Sequence, residues 1–224
     1  MNKALSFARL DFLTVKPYLT LKNMLILLFL FGFIGYSTGD ASKVTGMLLA
    51  YGTIYASYPF VIGDKNGTDT LYATLPLKKS DVVAGRYIFA FSLNLCVAVA
   101  AFAGAVILAA VLKKNFDAGE TLLMILICYM IFSALEAVQL ILYFKLGYAK
   151  AKFLVYLSFV AFPVAIVATA TLMGKEKLMP FAENIFLWVQ ANRLMAGALI
   201  GVTWILIILG SGLLAYRFYR KREF

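Results

Sequence analysis

Glu136 lies in the apolar run CYMIFSALEAVQLILYF, with Gln139 three residues further on and on roughly the same helix face. It is the one ionisable residue read inside a membrane-crossing segment. A carboxyl there is costly to hold and points to a proton or substrate site. The plainer reading is a buried carboxyl hydrogen-bonded to a neighbouring helix. Neither a second charge in the spans nor an internal repeat accompanies it, which weighs against an ion-coupled carrier built from inverted halves.

The rest of the chemical inventory is sparse. Histidine is absent, and Cys96 and Cys128 stand singly in apolar runs without metal-ligand spacing or a local base. Zinc, haem and histidine-based hydrolytic chemistry are excluded, and no metal site is expected. The phosphate-binding pattern GxxxxGK[ST] is also missing, since the Gly174-Lys175 pair is followed by Glu176. The chain has no catalytic residues and does not hydrolyse ATP by itself. Any work it does draws on an ion gradient or on another subunit.

The elements that must position these residues are membrane helices. Of 224 residues, 63% are hydrophobic and 14% charged, and the mean hydropathy is +0.88, which leaves no composition for a soluble domain. Runs such as MLILLFLFGFIG are apolar throughout and lack the alternation of a membrane β-barrel. Six spans are expected, over about 23–38, 44–63, 82–112, 121–144, 152–173 and 198–216, in one all-α membrane domain over 1–224. The N-terminus carries Asp11 and Pro17 and is followed by no small-residue cleavage site, so no removable signal peptide is read.

Basic residues orient the bundle. With both termini cytoplasmic, only Lys43, Lys113, Lys114, Lys175, Lys177 and Arg193 fall outside. The other fifteen of the 21 basic residues, Arg86 among them, are assigned to the cytoplasmic termini and loops. Topology and anionic lipid head groups then account for the net charge of +10, and no nucleic-acid partner is needed.

Between the second and third spans stands DKNGTDTLYATLPLKKSDVVAGRYI. Gly63, Asn66 and Gly67 suit a turn, Thr68 or Asp69 caps a short helix TDTLYATL, Pro76 ends it, and Ser80 or Asp81 caps the next helix. The segment 64–81 thus places a short helix across the cytoplasmic face. It reads either as an interfacial element on lipid or as a docking knob for a partner.

Residues 1–22 form an interfacial helix, with Phe7, Leu10, Phe12 and Leu13 as apolar surface and Arg9 and Lys16 reaching head groups. It serves as a membrane anchor or as a guide for the first span. The segment 174–197 is too polar for a full span and is expected to form a broken or re-entrant helix on the outer face. Pro163 removes a backbone donor inside span five and makes either a fixed bend or a hinge.

LYATLPLKKSDVVAGRYI after span two resembles the corresponding region of ABC-2-type permeases, the membrane subunits of certain ATP-driven exporters. YFKLGYAKAKFL after span four is similar to the Gly-plus-basic cytoplasmic turn of the same family. Span number, cytoplasmic termini, basic N-terminal helix and outer segment agree with it as well. The likeness extends to small bacterial permeases that pair with a separate ATPase, including exporters of amphipathic peptides such as the phenol-soluble modulins of staphylococci.

The resemblance implies a subunit of the bacterial plasma membrane that dimerises, as homodimer or heterodimer, and recruits ATPase subunits which bind ATP and magnesium. The helix at about 68–75 would be a coupling helix, with Asp64, Asn66, Thr68, Asp69, Leu71, Tyr72, Leu75 and Pro76 as its ATPase-coupling residues. Lys145, Gly147, Lys150 and Lys152 would make a second contact. Cargo would be hydrophobic or amphipathic, with peptide favoured by the resemblance. Two other functions stay open from the residues: a proton-coupled carrier using Glu136, and a non-transporting peptide sensor or immunity protein.

Overall fold

The computed structural model describes residues 3–38, 42–67, 78–113 and 116–222, among which all regular structure is helical. Helix α1 spans Lys3–Val15 and runs into a 3-10 turn at Lys16–Tyr18; α2 spans Leu21–Thr38, α3 Ser42–Ala56 and α4 Tyr58–Asn66. Then come α5 over Lys79–Leu112, α6 over Ala118–Leu146, α7 over Tyr148–Met173, α8 over Lys175–Ala191 and α9 over Arg193–Lys221.

Among the described residues, α5, α6 and α9 are long and apolar enough to cross a membrane on their own. At about 1.5 Å per residue the 34 residues of α5 reach about 50 Å, well beyond the ~30 Å of hydrocarbon, so this helix projects past the bilayer.

Local chemistry sets the boundaries. The expected second span, 44–63, is two helices. Pro59 cannot donate a backbone bond into the preceding turn and sits instead at the start of α4, while the Ser57 hydroxyl donates to the Ile54 carbonyl at 2.7 Å. Helix α6 is capped by Asp117, whose carboxylate accepts from the amides of Gly119 and Glu120 at 2.8 and 3.0 Å.

Two turn assignments are corrected. Gly63 and Asn66 lie inside α4, and Gly67 alone closes it in the left-handed conformation at φ 64°. Neither Ser80 nor Asp81 caps α5. Lys78 holds the cap position in extended backbone without a side-chain bond, and Asp81 falls in the first turn, where its charge faces the helix dipole.

Helices α5 and α6 form the centre. Helix α3 packs across both, α9 lies against both, and α1 lies along α5. Helix α7 packs on α6 and α4, and α8 touches α7 and α9. The largest apolar cluster joins Phe7, Phe60, Tyr87, Leu140, Phe144 and Tyr219. Phe60 and Tyr219 each meet Phe144 edge-on at 5.1 Å, tying α4, α6 and α9 together. Away from this end, Leu172 and Leu194 are 88% and 93% exposed.

Candidate functional site

The end of the bundle where α9 finishes collects several segments. The Lys79 ammonium, at the first residue of α5, donates to the carbonyls of Arg220 and Arg222 at 3.2 and 3.1 Å. It thereby satisfies carbonyls left open at the end of α9. Beside it, Gly147 joins α6 to α7 at φ 75°, and a Cβ there would lie 3.0 Å from Nη2 of Arg222. The backbone conformation requires glycine, and a side chain there would also displace the end of Arg222.

Lys145 completes this corner with its ammonium 4.9 Å from the centre of the Phe218 ring. Asp64, near the end of α4, acts electrostatically on Tyr148 at the start of α7. The flanks of segment 64–81 and the turn around Gly147 are therefore neighbours. Asp64, Lys145, Lys150 and Lys152 are exposed there. Asn66 is the last residue of α4. Thr68, Asp69, Leu71, Tyr72, Leu75 and Pro76, and with them the expected short helix, lie outside the described residues.

A second feature was missed from sequence. Helix α1 buries Ala4, Phe7, Ala8, Asp11 and Val15, one stripe at helical spacing, against α5. In the middle of that stripe Asp11 Oδ2 stands 3.2 Å from Arg86 Nε, with the two side chains 1% and 2% exposed. The Arg86 guanidinium also lies 4.3 Å from the centre of the Phe60 ring and 5.7 Å from that of Phe7.

Two expectations are corrected here. Arg86 is a buried helical residue, because Asp11 gives it a counter-charge that a loop position would not need. Phe7 faces protein, while Leu10, Phe12 and Leu13 remain exposed at 40%, 48% and 56%. The polar signal that marks such a pair in sequence is weak: Asp11 is an isolated acid in an otherwise apolar and basic helix.

Deeper along α6, Glu136 and Gln139 are both buried, at 1% and 4% exposure. The Glu136 carboxyl lies beside the Asn94 amide of α5. Neither the carboxyl oxygens nor the amide atoms make a hydrogen bond of ordinary geometry among the described residues. Gly52 of α3 closes the site from the side, since a Cβ there would come 2.4 Å from Asn94 Oδ1. One turn away the Trp204 indole donates to the Ser133 hydroxyl at 2.8 Å, linking α9 to α6.

Helix α7 continues through the backbone of Pro163. Segment 174–197 is helical over α8, with Pro180 inside it, and breaks at Asn192 before α9 begins. Between α2, α3 and α5 lies an apolar cleft of about 240 Å³, lined by Leu27, Phe31, Leu48, Tyr51, Leu93 and Val97 among others.

Set against known proteins, the sequence profile of the ABC-2 family transporter proteins matches residues 9–220, nearly the whole chain. The chain belongs to the ABC-2 transporter family. No curated protein sequence matches it. As an ABC-2 transporter it is a membrane transport protein with a permease role, in a family whose members generally work with an ABC ATPase subunit. The match begins within α1 and ends within α9, so the cluster of segments around Lys79, Gly147 and Arg220 lies inside it.

Proposed function

We propose that this ABC-2 permease is the six-span membrane subunit of an ATP-driven exporter in a bacterial plasma membrane, with both termini cytoplasmic. It moves hydrophobic or amphipathic cargo, peptide in the first place, outward. A separate ATPase supplies ATP and magnesium chemistry, and a second permease chain completes the pathway. Segment 64–81 is the coupling segment, with Asp64, Asn66, Thr68, Asp69, Leu71, Tyr72, Leu75 and Pro76 facing the ATPase, and Lys145, Gly147, Lys150 and Lys152 provide the second contact.

The observation that supports this reading is the meeting of both flanks of segment 64–81 with the Gly147 turn at one end of the bundle. A single docking partner at that end would touch both segments. ATP-driven closure of the ATPase pair would then push on a packed block of aromatic side chains, which moves as a unit because close-packed interiors deform little. The purified complex tests it. Leu71→Asp and Tyr72→Ala are expected to keep ATP hydrolysis and lose export, and variants that export normally while still binding the ATPase would remove the coupling assignment.

A second reading is favoured by a different observation, the buried Glu136 carboxyl without a charged partner among the described residues. Under it the chain is a proton-coupled carrier. Liposomes holding the chain alone, with a proton gradient, would move cargo and lose that flux in Glu136→Gln.

A further inference from the structure

We propose that Arg86 is a positioning residue: its contacts with Asp11 and Phe60 make α1 part of one rigid block with both flanks of segment 68–77. Any displacement of that segment then carries the N-terminal helix with it. This use of the block rests on the coupling reading above; the attachment of α1 through Arg86 does not.

Three elements converge on one guanidinium. Arg86 sits about two turns into α5, on the downstream side of the segment, and Phe60 sits about two turns before the end of α4, on the upstream side. Asp11 comes from α1. The guanidinium is 3.2 Å from the Asp11 carboxylate and 4.3 Å from the Phe60 ring centre, so all three helices share one charge centre. Next to it, a Cβ at Gly85 would lie 2.9 Å from both the Ala4 carbonyl oxygen and the Phe7 side chain. Helix α1 thus lies directly on the backbone of α5.

An apolar contact alone would hold α1 but leave its register loosely defined, because apolar burial is non-directional. A buried charge held against a counter-charge favours one register: sliding α1 by a turn would part the two groups away from water. The outward face of α1 carries Leu5, Phe12 and Leu13, exposed at 54%, 48% and 56%, together with the exposed Arg9. This is the surface that a boundary helix presents to lipid. Through Arg86, movement at the cytoplasmic end is delivered to the membrane surface and not only to the spans.

The test measures the α1 to α5 distance. Nitroxide labels are placed at Phe12→Cys and Ala84→Cys, with Cys96 and Cys128 replaced by Ser, in the full chain in nanodiscs, alone and with its ATPase. The parent chain is expected to give one narrow distance, unchanged between nucleotide-free and ATP-trapped complexes. Asp11→Asn and Arg86→Gln broaden it and lower transport per ATP hydrolysed roughly tenfold. The exchanged pair Asp11→Arg with Arg86→Asp narrows it again. Gly85→Val, which keeps both charges and lifts α1 by steric contact, gives the same broadening and serves if a charge variant does not accumulate.

A narrow distance in Asp11→Asn, or a parent distance that shifts with nucleotide, overturns the proposal. The distance in the isolated chain decides the attachment whether or not an ATPase binds. Failure to capture an ATPase is a failure of the export reading and is seen separately.

Discussion

Asp11 and Glu136 are equally inaccessible, at 0% and 1% exposure, yet the first faces a guanidinium at 3.2 Å and the second a neutral amide. Their surroundings differ in the same sense. Asp11 belongs to the tightly packed end, where α1, α4, α5, α6 and α9 interlock through aromatic rings and lysine-capped carbonyls. Glu136 lies beside Asn94 of α5, with Ser133 and Gln139 buried one turn away on either side of it along α6. A charge matched by a fixed counter-charge makes a joint; a carboxyl beside a neutral amide has no charge to hold it in one place.

The largest expected effect separates the two sites outright. Arg86→Gln takes the guanidinium away from the buried Asp11 carboxylate, which costs about 3–5 kcal/mol, and lowers the midpoint of thermal unfolding in detergent accordingly. If the midpoint stays near that of the parent, the pair is no joint. A smaller loss comes from the Gly147 turn. Gly147→Ala forces a side chain into left-handed backbone and toward Arg222, for a loss of about 1–2 kcal/mol in the same assay, and a neutral result would loosen the packed end from that corner.

The smallest effect belongs to Glu136→Gln, which keeps the shape and removes no charge pair. Its midpoint is expected within about 1 kcal/mol of the parent. A loss as large as that of Arg86→Gln would show a counter-charge at Glu136 and erase the contrast.

Helices α5, α6 and α9 were legible in the sequence because each is an apolar run long enough to be recognised without its neighbours. The expected third span, 82–112, and α5, Lys79–Leu112, share their C-terminal residue. The division at Ser57 was missed because apolar residues continue across it and only Pro59 marks the break. Site chemistry was less legible. Glu136 stood out as a lone acid in an apolar run, but Asn94 did not, since a neutral amide breaks no rule of hydropathy.

Counting charges near span ends places Arg86 in a loop, because that rule has no knowledge of partners. Its burial depends on Asp11, which is distant in sequence and reaches it only after α1 folds back along α5. The meeting of Lys79, Gly147 and Arg222 was hidden for the same reason: three separate basic or turn residues acquire a meaning once the ends of three helices are brought together.

The central claim is that this ABC-2 permease is driven from its packed end by an ATPase. Cargo flux in proteoliposomes tests it most directly, with the chain and its ATPase reconstituted together and the parent compared with Leu71→Asp. The account predicts flux that needs both ATPase and ATP, ignores a proton gradient, and disappears in Leu71→Asp while ATP is still hydrolysed. Flux from the chain alone, driven by a proton gradient and lost in Glu136→Gln, would contradict it.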